Sequence, residues 1–159
     1  MSWQNFINAI ELAKQCEFYT IKGERSGEIV AKAEELFGHK FSSQNYEFLK
    51  NLGYLSFVGN EFYGMLTDDF SGTYFGNCIE ATLQDRMELN LPLQWLTIYD
   101  FDDGYMGYLD YSQLDEHGEP SVIMAIHNGM EYVKIEKVAE DFGDFLLTLV
   151  NEQLVIQKG

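Results

Sequence analysis

The spacing of apolar residues predicts three short helices in the first third of the chain. An amphipathic period of three to four residues recurs in SWQNFINAIELAKQ, SGEIVAKAEELFG and SSQNYEFLKNLG. Serine stands where each helix would begin, at Ser2, at Ser26 and at either Ser42 or Ser43. A serine oxygen accepts hydrogen bonds from the free N–H groups of a first helical turn, and glycine follows the second and third helices as a stop signal.

The pattern then changes to runs rich in β-branched and aromatic residues, which predict strands joined by tight turns. Two such runs flank Gly59-Asn60 in YLSFVGNEFYGML, and two more flank Asn128-Gly129 in SVIMAIHNGMEYVKIEKV. Asn-Gly is a strong hairpin signal because both residues tolerate positive φ. A further pair of strands, LQWLTIYDF and GYMGYLDY, flanks the turn-forming residues Asp102-Asp103-Gly104.

Helical spacing returns twice, in NCIEATLQDRMEL and in DFGDFLLTLVNEQ, where Asp141 is a candidate helix cap. The order is therefore helices, antiparallel strands with one inserted helix, and a closing helix. This order predicts an α+β fold rather than a parallel βαβ array. With 159 residues and neither a repeat nor a linker, we expect a single domain over residues 1–159.

The charge of the chain is strongly negative and unevenly distributed. The formal net charge is −16, with a hydrophobic fraction of 46% that predicts a globular core. Between Asn51 and Val133 the segment has fourteen acids and one Lys or Arg, Arg86, so its net charge is −13 of the total −16. Such a surface repels phosphate, so we expect neither nucleic-acid nor anionic-membrane binding, and we expect a basic partner.

Three explanations of the acidic segment stay open at this stage: a solvated surface, adaptation to salt, and a docking face for a basic protein. A docking face accounts best for the clustering, because unpaired like charges lower stability whereas complementary potentials speed association. The residues expected to contact the partner are the acids and tyrosines of the segment: Asp68, Asp69, Asp100, Asp102, Asp103, Tyr105, Tyr111, Asp115 and Glu116. Asp110, at a strand end, is expected to pin a turn instead.

Catalytic and metal-binding patterns do not fit the chain. DFDDG at Asp100 resembles a calcium loop, but the sixth position of that loop would be Tyr105 rather than glycine and the twelfth Tyr111 rather than glutamate. No His-Glu-x-x-His or Cys/His spacing for zinc is present, and no nucleophile elbow or phosphate-binding glycine loop. We therefore expect no cofactor, no metal and no enzymatic activity. A small metal-dependent hydrolase stays the least favoured alternative.

The two cysteines, Cys16 and Cys78, are expected to be buried and reduced, because two isolated thiols form no disulfide framework. The N-terminus lacks a signal-peptide pattern, and the longest aliphatic run, FLLTLV, is too short to cross a bilayer. We therefore expect a cytoplasmic protein.

Three segments in order resemble the SUKH superfamily, which is common in bacterial genomes. AEELFGHKFSSQNYEFLKNLGYLSF is similar to the family's helix, short gap, and helix leading into a strand. WLTIYDFDDGYMGYLD is similar to its strand, acidic-glycine turn and strand, and EPSVIMAIHNGMEYVKIEKVAEDFGDFLLTLV to its closing strands and helix. The matching residues are Glu34 or Glu35, Phe48, Leu49, Gly53, Asp103, Gly104, Asp110, Pro120, Val122, Phe142, Phe145 and Leu146. Ser42 replaces the usual proline, and a serine can start the same helix.

The resemblance implies a strongly twisted, mainly antiparallel sheet with helices packed around it. It also implies a role, because many bacterial members resemble immunity proteins that neutralise a cognate polymorphic toxin, often a nuclease. No catalytic residues carry over from the family. Nuclease domains are commonly basic, so the expected partner of an acidic immunity protein agrees with the charge of the chain. The alternative within binding proteins is a regulatory or scaffold protein with a non-toxin client.

Overall fold

The computed structural model describes residues 2–158, and Ser2 without its side chain. In chain order the elements are α1 (Ser2–Ala13), β1 (Thr20–Ile21), α2 (Gly27–Phe37), α3 (Ser43–Glu47) with a π-helical turn (Phe48–Leu52), β2 (Leu55–Phe57), β3 (Asn60–Phe62), α4 (Cys78–Leu89), β4 (Trp95–Asp100), β5 (Met106–Leu114), β6 (Pro120–His127), β7 (Tyr132–Ala139) and α5 (Phe142–Lys158). The predicted α+β fold is confirmed: an antiparallel sheet with N-terminal helices, an inserted helix and a C-terminal helix.

The sheet contains seven strands in the order of the chain, and each strand pairs antiparallel with the next. Consecutive antiparallel pairing places the turns alternately at the two ends of the sheet. The β2–β3, β4–β5 and β6–β7 turns share one end, which we call the turn pole, and the β5–β6 turn lies at the opposite pole. The edge strand β1 has only two residues, too few for its pattern to predict it.

Local hydrogen bonds explain where three of the helices begin. The Ser26 hydroxyl accepts from Ile29 N at 3.2 Å, and the Ser42 hydroxyl accepts from Asn45 N at 3.3 Å. Ser42 rather than Ser43 is therefore the N-cap of α3, whose first helical residue is Ser43. Asp141 accepts from Asp144 N at 2.9 Å at the start of α5. Gly38 ends α2 in the left-handed conformation, with φ 100°. The predicted cap at Ser2 concerns a side chain outside the described residues.

Phenylalanine rings form the centre of the core on the face of the sheet that packs against α5. The ring of Phe142 lies 4.9 Å from Phe48, 6.0 Å from Phe62 and 6.1 Å from Phe6, measured between centroids. A smaller cluster of Leu91, Tyr108, Ile123 and Ala125 also forms, with Trp95 and Tyr132 packed against it. Burying these rings and aliphatic groups is the main force that holds the helices on the sheet.

Helices α1 and α5 run parallel to each other and both end at the turn pole. Asn5 Nδ2 donates to Asp144 Oδ1 at 2.8 Å near the starts of the two helices. Glu17 N, just after α1, donates to Gln157 Oε1 in the last turn of α5 at 2.7 Å.

The two cysteines are free and buried, as expected. Among residues 2–158, no helix has the length and apolar character that a membrane span requires.

Candidate interaction surface

The β4–β5 turn gathers four of the predicted contact residues at the turn pole. Asp100, Asp102 and Asp103 are exposed, and Tyr105 is 37% exposed. Asp100 Oδ1 accepts from Asp102 N at 2.7 Å, and Phe101 N donates to Tyr105 O at 2.8 Å, so the turn is closed by its own backbone. The turn therefore holds three carboxylates and a tyrosine ring at the surface.

Asp115 and Glu116 lie at the other end of the molecule, in the β5–β6 turn. β5 has nine residues, so at about 3.3 Å per residue roughly 30 Å separate the two turns. Asp115 is only partly exposed, and its Oδ1 accepts from His117 N at 2.8 Å and from Glu119 N at 3.0 Å. The nine residues were expected to form one docking face, and the structure corrects this. Strand β5 runs the length of the sheet and places the two acidic turns at opposite poles.

Asp68 and Asp69 form a third group, in the loop between β3 and α4. Asp68 accepts from Arg25 Nη1 at 2.8 Å, and the same guanidinium donates to Met65 O. Asp69 accepts from the Ser71 hydroxyl at 2.6 Å and from Ser71 N at 3.1 Å, and these bonds lower the pKa of its carboxyl. The charge of Asp68 is thus already paired within the chain, which weakens its expected role in partner contact.

Tyr111 is not the exposed anchor that the sequence predicts, because its side chain is only 8% exposed. Its hydroxyl oxygen accepts from Ser42 N and from Asn45 Nδ2, each at 2.9 Å, and so ties β5 to the start of α3. Asp110 is also buried, and it accepts from Ser112 N at 3.0 Å and from the Ser112 hydroxyl at 2.5 Å. Both residues serve the fold, and Asp110 lies within β5 rather than at a strand end, where it bonds Ser112 of the same strand instead of a turn.

Glu119 is a buried acid that the sequence did not predict to be buried. Glu119 is 3% exposed and accepts from Gln44 N at 3.3 Å, and Gln44 Oε1 accepts from Gly143 N at 2.7 Å. The β5–β6 turn is thereby joined to the starts of α3 and α5. Burial raises the pKa of Glu119, and repulsion from the nearby charges of Asp141 and Asp115 raises it further. The residues that bury it are distant in the sequence, so no local pattern signals it.

A second, half-buried polar pair lies between α4 and the last hairpin. Tyr132 donates a hydrogen bond to Asp85, while burial raises the pKa of Asp85 and repulsion from Glu88 adds to the shift. The Tyr132 ring packs against Tyr108 at 6.1 Å and against His127 at 5.0 Å between centroids. Within the described range, no three His, Cys, Asp or Glu side chains are grouped closely enough to hold a metal ion.

The raised pKa values of Glu80, Asp85 and Glu119 predict how stability depends on pH. Burial is the largest cause in each case, so the folded protein binds protons more tightly than the unfolded chain does. Stability is then lost as the pH rises from the unfolded pKa values, about 4, through the raised folded values. We expect the melting temperature to fall as the pH rises above the unfolded pKa values of about 4. Repulsion within a chain of net charge −16 acts in the same direction.

Differential scanning calorimetry across that pH window checks this expectation. Glu119→Gln keeps an oxygen to accept from Gln44 N but cannot ionise, so its melting temperature should depend less on pH than that of the unchanged protein. A melting temperature that rises with pH would contradict the assignment of these buried and half-buried carboxyls as destabilising when charged.

The open antiparallel sheet with five helices defines an α+β domain whose turn pole presents charged and apolar side chains to solvent. The family model SUKH_6, described as SMI1-KNR4 cell-wall, matches residues 28–146, roughly three quarters of the chain. The chain therefore belongs to the SUKH_6 family, and the resemblance found in the sequence is confirmed. A search of the curated proteins found no significant match.

Proposed function

We propose that this protein is an immunity protein that neutralises a basic, nuclease-type toxin by binding it directly. Membership of the SUKH_6 family supports the proposal, because the superfamily includes immunity proteins. The observation that carries it is the group of exposed carboxylates on the β4–β5 turn, within a chain of net charge −16. The proposed activity is binding rather than catalysis, and the proposed place of action is the cytoplasm.

The proposed mechanism has two steps. The negative field of the protein first attracts and orients a cationic domain, which raises the association rate above that of neutral partners. Short-range contacts of exposed side chains then hold the complex and cover the toxin surface that nucleic acid would occupy. The first step depends on long-range charge and is screened by salt, whereas the second depends on contact and is not.

The test begins with the genes beside this one, and it uses the purified product of a toxin-like reading frame found there. Stopped-flow measurements should show an association rate constant that falls about tenfold or more as the salt concentration rises from about 50 mM to about 500 mM. The dissociation rate constant should change much less, because steering acts mainly on association. An association rate constant that does not respond to salt would remove the electrostatic step from the proposal.

A further inference from the structure

The turn pole also carries apolar side chains that the described residues 2–158 leave exposed to solvent. Phe18 is 83% exposed, and Val58, Met130, Val155 and Ile156 are exposed as well. Water-exposed rings and branched chains are unfavourable for a monomer unless something else covers them. A shallow hollow of about 630 Å³ on the last turns of α5 includes Val155 and Ile156 in its lining.

Strand pairing places Phe18 and Val58 at the same end of the β1–β2 pair. Thr20 pairs with Ser56, and Phe18 lies in the turn before β1 while Val58 lies in the turn after β2. The hydrogen bond from Glu17 N to Gln157 Oε1 brings the end of α5 to the same segment. The apolar groups therefore belong to one end of the molecule, although they come from four separate parts of the chain.

Backbone strain is concentrated at this end too. Phe18 has φ 56° and Val58 has φ 42°, and Asp102 and Asp103 also have positive φ. These are four of the six described non-glycine residues with positive φ. A left-handed conformation costs an ordinary residue about 1–2 kcal/mol, and for a β-branched residue such as Val58 it is a clear outlier. The side chains of Phe18 and Val58 are both exposed, so packing in the core does not offset this cost.

Carboxylates also lie at this end of the molecule, on the middle and last turns of the pole and on α5, which ends at Lys158. Asp102 and Asp103 lie on the middle turn of the pole, Glu131 ends the last turn, and Glu152 lies on α5 beside Val155. Burial and the nearby charges of Asp102 and Glu152 raise the pKa of Tyr99 to about 12, so both acids lie close to this end of β4. A surface that presents apolar side chains beside carboxylates is complementary to a cationic protein surface that also has apolar groups. A second copy of this chain, also at net charge −16, would be repelled.

We propose that the turn pole is the surface that binds the cationic partner, with Phe18 and Val58 as apolar anchors at its β1–β2 edge and the carboxylates of the β4–β5 turn beside them. This inference rests on the proposed function and specifies where the contact occurs. The first and last turns of the pole are four strand spacings apart, or about 20 Å at 4.8 Å each. That width suits a standard interface, which buries about 800 Å² on each partner.

The strain at these two anchors allows a test in which loss of binding is separated from loss of folding. Glycine accepts the backbone conformation of Phe18, and asparagine accepts that of Val58, where Asn-Gly is a favoured hairpin turn. The variant Phe18→Gly/Val58→Asn therefore removes both apolar side chains while its melting temperature stays unchanged or rises. We expect its Kd for the purified product of the adjoining toxin-like reading frame to rise tenfold or more.

Leu93→Ser/Leu114→Ser is the matched control. Both leucines are exposed, and they lie at the opposite pole, just before β4 and at the end of β5. Removing them deletes a similar apolar area, so the control should bind as the unchanged protein does. Calorimetric titration of the three proteins gives the Kd values, and melting curves give their stabilities.

Each outcome decides one statement. If the unchanged protein binds and the Phe18→Gly/Val58→Asn variant binds equally well, the assignment of the turn pole is wrong and the proposed function stands. A loss of binding in the Leu93→Ser/Leu114→Ser control alone would move the interface to the opposite pole. If the unchanged protein does not bind the product, the proposed function fails, and the inference fails with it.

Discussion

Replacing Phe142 by alanine is expected to lower the free energy of unfolding by about 3–5 kcal/mol. Phe142 begins α5, is almost completely buried, and contacts the rings of Phe6, Phe48 and Phe62. Its removal would leave a cavity where α1, α5, the π-helical turn and β3 meet. The surrounding rings are held by separate elements, so they cannot collapse fully into the space. Urea unfolding, followed by tryptophan fluorescence, measures the loss.

Phe75→Ala is the control for this substitution. Phe75 is a phenylalanine of the same size, but it is exposed in the loop before α4 and contacts the neighbouring ring of Tyr74. Its replacement should change the free energy of unfolding by no more than about 0.5 kcal/mol. Equal losses in the two variants would mean that the ring cluster around Phe142 does not form the centre of the core.

Gly64→Ala is expected to destabilise the protein by about 3 kcal/mol or more. A β-carbon at Gly64 would overlap the carbonyl oxygen of Gly53 and press on the backbone of Tyr54. The backbone is fixed at this point, because Gly64 N donates to Gly76 O at 2.9 Å and Gly64 O accepts from Cys78 N at 2.9 Å. A methyl group can therefore be admitted only by separating the loop that follows β3 from the end of the π-helical turn.

The matched control is Gly27→Ala, at the first residue of α2. Nothing lies within 4 Å of the β-carbon that alanine would add there. Alanine also restricts the unfolded chain, so this variant should equal the unchanged protein or exceed it by up to about 1 kcal/mol. Melting temperatures of both variants check the pair, and a Gly64→Ala protein as stable as Gly27→Ala would show that the close backbone contact is absent.

Local chemistry explains which parts of the fold the sequence predicts well. Ser26, Ser42 and Asp141 each satisfy N–H groups within three residues of themselves, so the helix starts can be inferred from short stretches. The Asn128-Gly129 turn is equally local, because Asn128 Oδ1 accepts from Met130 N and Glu131 N at 2.9 Å. The nearly continuous burial of β4, β5 and β6 matches their runs of apolar residues, because side chains pack against both faces of the sheet there.

Long-range packing explains what the sequence does not predict. In the sequence Tyr111 is one of several tyrosines in an acidic strand, and nothing near it predicts burial. In the fold it is buried against the start of α3, where Ser42 N and Asn45 Nδ2 donate to its hydroxyl. No sequence pattern predicts that Phe18 is exposed with a positive φ, because both properties depend on the pairing of β1 with β2. The acids between Asn51 and Val133 are continuous in the sequence, but they lie at both poles in the folded chain.

These differences narrow the surface on which the proposed function depends. Of the nine residues that the sequence suggested, only Asp100, Asp102, Asp103 and Tyr105 share the turn pole with the exposed apolar groups. Asp68 is paired with Arg25, and Asp115 holds its own turn. The revised proposal thus depends on one end of the molecule and on a partner that is both basic and able to cover apolar side chains.

The measurement that tests the central claim most directly is growth of bacteria that express the adjoining toxin-like gene product, with and without this protein. We expect that the toxin alone stops growth and that the unchanged protein restores it. The Phe18→Gly/Val58→Asn variant, produced at the same level, should restore growth less well. Continued growth arrest in cells that contain the folded, unchanged protein would contradict the claim that it neutralises a cognate toxin.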